Sequence, residues 1–193
     1  MSIILGSQSK RRKLILEFFN LPFTQIPSLF DEKTLPPEKD PKKYVEALAE
    51  KKAREIALRY PQEIILTADT VVYFKNSYLH KPADETEAFS MLKKLSASWH
   101  QVFTGVCVFQ KGQAFSGSEE SQVLFNPLTD GQIQKYHRHF YFSDKAGGYA
   151  IQEGGSIIVQ KISGCFYNVM GLPINTVRGL LLKVGLDLWD FLK

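Results

Sequence analysis

Residues 63–74 form one continuous run in which β-branched and apolar side chains occupy both faces of a strand. Such a strand lies in the centre of a sheet, because both of its faces need apolar neighbours. One acid, Asp69, stands in the middle of the run. A carboxylate in this place is costly unless it is paired, protonated or bound to a metal ion. Asp69 is therefore the strongest single candidate for a functional residue, with a salt bridge or a bulge at the strand end as the structural alternative.

The opening of the chain predicts a strand, a turn and a helix in close succession. Residues 3–5 are apolar, Gly6 and the serines after it form the turn, and residues 14–19 carry a helical apolar pattern. A serine is the expected N-cap, and three cations at positions 10–12 fill the first helical turn. Cations there oppose the helix dipole, so the arrangement favours an anion held by backbone N–H groups, hydroxyls and guanidinium groups. We interpret the stretch as a phosphate-binding turn; a solvated basic turn is the alternative.

Two further charged positions fall where a site could form. A helix is predicted over residues 41–60, and Lys52 interrupts its apolar stripe. A lysine in this place either extends its stem along the apolar surface or brings one ammonium into a cleft. The polar, proline-rich loop at residues 31–38 contains the neighbouring acids Asp31 and Glu32, which are candidates for a site or for solvated surface.

The rest of the chain alternates predicted strands and helices. A glycine-rich run at residues 143–155 surrounds a few polar groups, as ligand-binding loops and plain turns both do. The predicted strands lie at residues 21–27, 99–109, 114–125 and 156–162, with a hairpin turn at Asn76–Ser77. The predicted helices lie at residues 84–95, 129–140 and 174–184.

Composition excludes several classes of protein. The chain has 193 residues, 44% of them hydrophobic, and a net charge of +4, which is typical of a globular protein and suits a small anionic ligand. No apolar run approaches the roughly 18 residues of a membrane span, and we expect no secretory signal. Cys107 and Cys165 stand far apart, which predicts a cytoplasmic location without disulfides. The histidines lack zinc spacing, and no P-loop or dinucleotide fingerprint occurs.

Together these residues offer separated cations and isolated acids. Such a set suits a polyphosphate held by Arg and Lys, a divalent metal between phosphate and carboxylate oxygens, and an acid that aligns water. Scattered ion pairs would give the same inventory, and spacing alone does not bring the groups together. The cations are Arg11, Arg12, Lys52, Lys81 and Lys145, and the acids are Glu32 and Asp69.

Several stretches resemble, in order and over nearly the whole chain, the motifs of the Maf family of nucleoside triphosphate pyrophosphatases. Each stretch alone is weak evidence, whereas their number and order make the resemblance specific. The family's Leu-Ala-x-x-Lys-Ala pattern selects Lys52 rather than Lys51. The stretches are Leu5–Arg12, Leu48–Ala53, Ala68–Val72, Lys81–Pro82, Leu95–Thr104, Asp144–Gln152 and Asn168–Pro173.

The resemblance implies an α/β fold similar to the inosine triphosphatase architecture. In that fold an elongated, twisted mixed sheet is flanked by helices and forms two lobes with a central cleft. Residues 1–193 would make a single such domain, frequently as a homodimer. The implied activity is hydrolysis of the α–β phosphoanhydride of a nucleoside triphosphate with Mg²⁺ or Mn²⁺. We expect no membrane and no stable nucleic-acid complex as partner.

The resemblance also implies roles for individual residues. Asp69 would accept the proton of the attacking water, and Glu32 and Asp69 would hold the metal ion. Arg11, Thr70 and Gln152 match the branch that acts on dTTP and UTP, and differ from the 7-methyl-GTP branch. The full set of substrate-binding residues would be Ser7, Arg11, Arg12, Lys52, Thr70, Lys81, Lys145 and Gln152.

Three departures from the family pattern are evident. Lys10 replaces a proline, Ala97 replaces a glycine, and Glu153 replaces the glycine that follows Gln152. The last change puts an anion beside the expected base-recognising amide. The alternatives to a pyrimidine enzyme are a pyrophosphatase for purine analogues or 7-methyl-GTP, and a non-catalytic regulator of cell division.

Overall fold

A computed structural model describes residues 3–152 and 154–192 of the chain. These residues contain seven strands and seven α-helices. The strands are β1 (Ile3–Leu5), β2 (Phe23–Gln25), β3 (Ile64–Phe74), β4 (Ser77–Leu79), β5 (Trp99–Gln110), β6 (Gln113–Phe125) and β7 (Val159–Ser163). The α-helices are α1 (Lys10–Glu17), α2 (Pro41–Arg59), α3 (Glu85–Leu95), α4 (Asp130–His139), α5 (Gly155–Ile158), α6 (Phe166–Met170) and α7 (Ile174–Leu182). Short 3₁₀ turns occur at Glu32–Thr34, Ala146–Gly148 and Leu188–Phe191.

The strands form one mixed sheet in the order β2-β1-β3-β5-β6-β7, with β4 paired to β3. β1 runs parallel to β2 and to β3, with Leu5 opposite both Gln25 and Leu66. The β3–β4 and β6–β7 pairs are antiparallel. Because the carboxyl ends of parallel strands meet at one edge and Leu5 pairs with Leu66, the turn after β1 lies beside the β3 residues that follow Leu66. The α/β class and the mixed sheet predicted from the sequence are confirmed.

The described residues group into two compact units. The first unit contains residues 3–69, 104–119 and 171–192, and the second contains residues 70–103 and 120–170 apart from position 153. The division of a single domain into two lobes stays a prediction.

The core of the first unit forms where α2 packs on the sheet. Ala49, Ala53 and Ile56 of α2 pack with Ile65 of β3 and Cys107 of β5, all buried. The helix approaches β5 closely at Gly105, where a Cβ atom would overlap the main chain of Val45. Glycine at this point brings the α2 stripe that contains Lys52 down onto the strands.

The core of the second unit forms where α3 and α4 pack on the sheet. Leu92 and Leu95 of α3, Ile133 of α4 and Phe125 of β6 are 0% exposed. A buried histidine, His100, contacts the ring of Phe125 edge to face beside this core.

Most of the predicted elements are confirmed, because their patterns are local. Ser9 caps α1 by accepting a hydrogen bond from the N–H of Arg12, and Thr129 forms a capping box with Gln132 at α4. No helix among the described residues is long and apolar enough to cross a membrane.

The sequence-based assignment was wrong in three places. The predicted strand at residues 156–162 begins as helix α5 and becomes β7 only at Val159, because the helical turn buries Ile158 in the core of the second unit. The β3–β4 turn consists of Lys75 and Asn76, whose φ angles of 48° and 62° match a two-residue hairpin turn. Helix α6 was not predicted.

Candidate active site

Lys52 joins the two acids of the predicted metal site within the first unit. Its ammonium Nζ is bonded to Oδ1 of Asp69 and lies 2.7 Å from Oε1 of Glu32. The side chains of Lys52 and Asp69 are 11% and 9% exposed, whereas that of Glu32 is 45% exposed. The salt bridge considered as the alternative for Asp69 is therefore present, and its partner is another residue predicted to be functional.

Each of these side chains comes from a different element. Lys52 lies on the buried stripe of α2, and Asp69 lies on β3 at the end of its first-unit part. Glu32 begins the 3₁₀ turn in the proline-rich loop, where Asp31 acts as the N-cap. The helix stripe and the strand side chain meet because α2 packs directly on β3.

The turn after β1 is ordered by Ser7. Its Oγ accepts hydrogen bonds from the N–H of Ser9 at 3.1 Å and from Nη1 of Arg12 at 3.3 Å. A serine hydroxyl has two acceptor lone pairs and one O–H donor, so these contacts leave the O–H to donate to a ligand. Arg12 is fixed at its other edge, where Nε donates to the main-chain oxygen of Gly171 at 2.7 Å.

Arg12 interacts electrostatically with the acids of the same unit. Burial lowers the pKa of Arg12, the negative charges of Asp69 and Glu32 oppose this, and the positive charge of Arg11 adds to the lowering. The basic turn and the acid of β3 are therefore close enough to interact electrostatically, although 57 residues separate Arg12 from Asp69 along the chain. An arginine with a lowered pKa still carries its charge at neutral pH.

Tyr44 is a residue of this site that the sequence analysis missed. It lies on α2 two helical turns before Lys52 and is 4% exposed. Burial raises the pKa of the Tyr44 phenol, and the charges of Asp69 and Glu32 raise it further. The phenol thus remains a hydrogen-bond donor beside two carboxylates. The i, i+4, i+8 spacing of Tyr44, Leu48 and Lys52 was the available signal.

Lys145, in the second unit, is held in place by hydrogen bonds to residues close to it in the sequence. Its Nζ donates to the main-chain oxygen of Tyr141 at 2.5 Å and to Oδ1 of Asp144 at 2.9 Å. The residue is 3% exposed, and the ammonium lies 5.0 Å from the centre of the Tyr141 ring. These contacts fix the position of the charge; a contact of Lys145 with substrate stays a prediction.

Gln152, also in the second unit, has an unusual acceptor. Its side-chain Oε1 is buried and has no hydrogen-bond partner among residues 3–152 and 154–192. Buried acceptors are seldom left unpaired, because losing a hydrogen bond costs about 1–3 kcal/mol. The substitution at position 153, next to this amide, lies outside the described residues.

The remaining predicted site residues are more accessible. Lys81 is exposed and follows β4, and Thr70 is half-buried at the point where β3 enters the second unit. Arg11 is half-buried on α1 in the first unit. Their roles toward substrate stay predictions.

The donor set for a metal ion consists of carboxylates. Within the part of the chain that the structure describes, no group of three or more His, Cys, Asp or Glu residues is arranged to hold a metal. Glu32 and Asp69, linked through Lys52, supply two carboxylates. Mg²⁺ commonly takes one or two protein carboxylates and completes its shell with phosphate oxygens and water, so this pair fits an ion that arrives with a polyphosphate.

A comparison with known protein families matches residues 2–184 to the model of the Maf-like proteins. This chain belongs to the Maf family. The match covers far more than half of the 193 residues and includes every stretch singled out in the sequence.

The curated Maf relatives extend over almost the full chain. A protein of Chlamydia caviae named dTTP/UTP pyrophosphatase is 45% identical over 191 residues, covering 98% of this chain and 97% of its own. A protein of Chlamydia felis with the same name shows the same identity and coverage. A Chlamydia pneumoniae protein named nucleoside triphosphate pyrophosphatase is 42% identical over 193 residues, covering 99% of this chain and 98% of its own.

A solved structure supports the fold of this Maf protein. The Ham1 protein of Staphylococcus aureus superposes with a TM-score of 0.55 over 95% of this chain and 100% of its own, at 14% sequence identity. At that identity the similarity concerns the fold alone. Three of the Maf stretches contribute candidate site residues to the first unit, namely Ser7 and Arg12, Lys52, and Asp69.

Proposed function

We propose that this Maf protein is a nucleoside triphosphate pyrophosphatase for dTTP, UTP or modified pyrimidine nucleotides. It hydrolyses the α–β phosphoanhydride and releases a monophosphate and pyrophosphate. The observation that carries the proposal is the bonding of the Lys52 ammonium to Asp69 and Glu32, in the unit that also contains the Ser7–Arg12 turn. The names of the Chlamydia relatives agree with this activity.

The phosphates bind through donors that the fold holds in place. Arg12 donates through Nη1 to the Ser7 hydroxyl and through Nε to the main-chain oxygen of Gly171, so the Ser7 O–H and the guanidinium lie side by side. We assign both to one anion site. A lysine ammonium has three donor hydrogens, and contacts with Asp69 and Glu32 use two of them, which leaves one for a phosphate oxygen. Lys81 is the further predicted phosphate ligand.

These donors act where negative charge develops. When the bond between the α-phosphorus and the bridging oxygen breaks, the electron pair stays on the departing pyrophosphate. Positioned cations stabilise that charge more than they stabilise the bound triphosphate, and removal of one such contact costs about 3–4 kcal/mol of activation free energy. The short contacts of Arg12 and Lys52 hold both cations before substrate arrives.

Asp69 is the proton acceptor. The bond to Lys52 uses Oδ1 of Asp69, and we assign Oδ2 to the attacking water. The water oxygen forms a new bond to the α-phosphorus, and its proton passes to the carboxylate. Acid–base assistance of this kind accelerates a reaction by about 10²–10⁴-fold.

Glu32 and Asp69 would hold a divalent cation, Mg²⁺ or Mn²⁺. When bound, the ion neutralises charge on the phosphate oxygens. The exposure of the Glu32 side chain, 45%, suits an ion that enters together with the substrate.

Thr70, Gln152 and Arg11 are the residues we assign to the base. The unpartnered Oε1 of Gln152 supports this assignment, because uracil and thymine present a ring N–H that an amide oxygen accepts.

The test is a panel of nucleoside triphosphates incubated with the protein and Mg²⁺, with pyrophosphate and orthophosphate measured separately. We expect pyrophosphate from dTTP and UTP. Preference for ITP or 7-methyl-GTP would support a purine enzyme instead, and release of orthophosphate would mean that another bond is cleaved. Absence of turnover, combined with nucleic-acid binding that weakens steeply with salt, would support a non-catalytic regulator.

A further inference from the structure

Gln25 contacts the phosphate-binding turn from the edge strand. Its side-chain Nε2 donates to the main-chain oxygen of Ser7 at 2.7 Å. Because a main-chain oxygen only accepts, this bond also determines which end of the amide faces the turn. Gln25 is the last residue of β2, and the parallel register places it opposite Leu5, two residues before Ser7. All of these residues belong to the first unit.

The opposite side of the turn is fixed by β3. The N–H of Gly6 donates to the main-chain oxygen of Leu66 at 2.8 Å, and a Cβ atom at Gly6 would overlap the side chains of Ile56 and Thr67. On the β2 side, the N–H of Ile26 donates to Leu5. Main-chain bonds to the neighbouring strands thus anchor the turn as far as Gly6, and the side chain of Gln25 links the next residue, Ser7, to β2.

The Gln25 bond has a directional consequence for Ser7. The C=O and the following N–H of a peptide unit point in opposite directions, since the unit is planar and trans. With the Ser7 carbonyl directed toward Gln25, the N–H of Gln8 points away from it. The same bond restrains rotation of the main chain that carries the Ser7 hydroxyl, which contacts Nη1 of Arg12.

We propose that Gln25 is a positioning residue that holds Ser7, and through it Arg12, in the geometry that binds a phosphate group. Gln25 itself acts through the Ser7 main chain and not on the reacting atoms. The role rests on the proposed function in that the phosphate is taken to belong to the nucleotide. No motif singled out Gln25 in the sequence, where it appears only as one polar residue of an alternating strand.

The test is a double-mutant cycle with Gln25→Leu, Ser7→Ala and the double variant. Gln25→Leu removes the amide donor and leaves an apolar side chain that is one heavy atom shorter. We expect it to lower kcat/KM for the best nucleotide, and to weaken binding of inorganic pyrophosphate, by about 10- to 100-fold, as displaced binding groups do. If Gln25 acts through Ser7, the double variant is no worse than the more damaged single variant. The proposal would be overturned if the losses of the two single variants multiplied in the double variant. It would also be overturned if Gln25→Leu kept the kcat/KM and pyrophosphate affinity of the unchanged protein.

The matched control is Thr24→Val. Thr24 precedes Gln25 on β2, is exposed, and points to the other face of the strand. We expect the Thr24→Val variant to bind pyrophosphate as the unchanged protein does. If thermal denaturation shows that Gln25→Leu does not fold, Gln25→Asn takes its place. Asparagine withdraws the donor by one methylene group, so we again expect lower kcat/KM and weaker pyrophosphate binding.

Pyrophosphate binding separates this proposal from the proposed function. A protein that cleaves no nucleotide but loses pyrophosphate affinity on Gln25→Leu would refute the activity and retain the positioning role. A protein that cleaves nucleotides with an unchanged kcat/KM in Gln25→Leu would retain the activity and refute the positioning role.

Discussion

Lys52 and Asp69 form a buried ion pair between the long helix α2 and the central strand β3. The ammonium is bonded to Oδ1 of the carboxylate, and Glu32, at 2.7 Å from the same nitrogen, connects the pair to the surface. Burying two charges is costly unless both are well bonded, and replacing such pairs by apolar residues is often neutral or stabilising. The pair is therefore weak evidence for stability, and its setting near Arg12 supports the proposed role toward a phosphorylated substrate.

Asp69→Asn removes the proposed proton acceptor while retaining the size of the side chain. We expect pyrophosphate release from dTTP or UTP to fall by about 10²–10⁴-fold. The control is Asp130→Asn, which breaks an exposed pair with Lys93 at 3.0 Å and leaves activity unchanged. Equal activity of Asp69→Asn and the unchanged protein would remove Asp69 as the base.

Glu32→Gln tests the metal assignment. An amide is a weaker ligand for Mg²⁺ than a carboxylate, so we expect the Mg²⁺ concentration for half-maximal activity to rise about tenfold or more, as changes at metal sites do. Titration of activity with Mg²⁺ after treatment with a chelator measures this. Glu17→Gln, which alters an exposed pair with Lys13, is the control. An unchanged Mg²⁺ requirement in Glu32→Gln would argue against a metal role for Glu32.

Arg12→Lys keeps a positive charge but loses the guanidinium fork. Lysine cannot donate to Gly171 and to Ser7 as Nε and Nη1 do, so the proposed phosphate ligand would be displaced. We expect kcat/KM to fall by about 10- to 100-fold in steady-state assays. Lys13→Ala, one position along α1, should have no such effect. If Arg12→Lys were fully active, charge alone would account for the role of Arg12.

Ala97 stands where the Maf pattern has glycine, and its φ angle of 53° lies in the left-handed region. That conformation costs an alanine about 1–2 kcal/mol, while glycine loses about 0.4–1 kcal/mol through its freer unfolded chain. We therefore expect Ala97→Gly to raise the free energy of unfolding by about 0.5–1 kcal/mol in urea titrations.

Gly147→Ala is the opposite case and serves as the control for Ala97→Gly. Its φ angle is 73°, and a Cβ atom there would lie 3.0 Å from a methyl group of Val72. We expect Gly147→Ala to lower the free energy of unfolding. Destabilisation by both substitutions would contradict the strain assigned to Ala97.

His100 predicts a dependence of stability on pH. Its Nε2 and the hydroxyl of Tyr149 are hydrogen-bonded at 2.7 Å, and burial lowers the pKa of His100 to about 3. The unfolded histidine titrates near pH 6.5, so below that pH the unfolded state binds a proton that the folded state does not. Stability is therefore lost as pH falls from about 6.5 toward 3, by at most about 1.4 kcal/mol per pH unit from this residue.

The measurement compares free energies of unfolding at about pH 7 and about pH 5 in the unchanged protein and in His100→Gln. We expect the difference between the two pH values to shrink in His100→Gln. His139 is exposed, so His139→Gln should leave the difference in unfolding free energy between the two pH values unchanged. If the pH difference were identical in His100→Gln, the pKa of His100 would not differ between the folded and unfolded states.

The elements were largely predictable because their signals lie within a few residues. The apolar run around Asp69, the serine cap of α1 and the stripe of α2 each depend on neighbours along the chain. The assignment failed at residues 156–162, where burial of Ile158 outweighed the β-branched pattern. The grouping of candidate site residues came from the family resemblance, since spacing alone did not bring them together.

By itself the sequence determined the kinds of group available: an acid in a central strand, cations at a helix start, and a lysine on an apolar stripe. The tertiary structure decided which of them touch. Arg12 donates to an oxygen 159 residues away at Gly171, Lys52 meets Asp69 and Glu32, and Gln25 reaches Ser7. Such contacts follow from how helices and strands pack, and packing depends on apolar surfaces along the whole chain, which local patterns do not record.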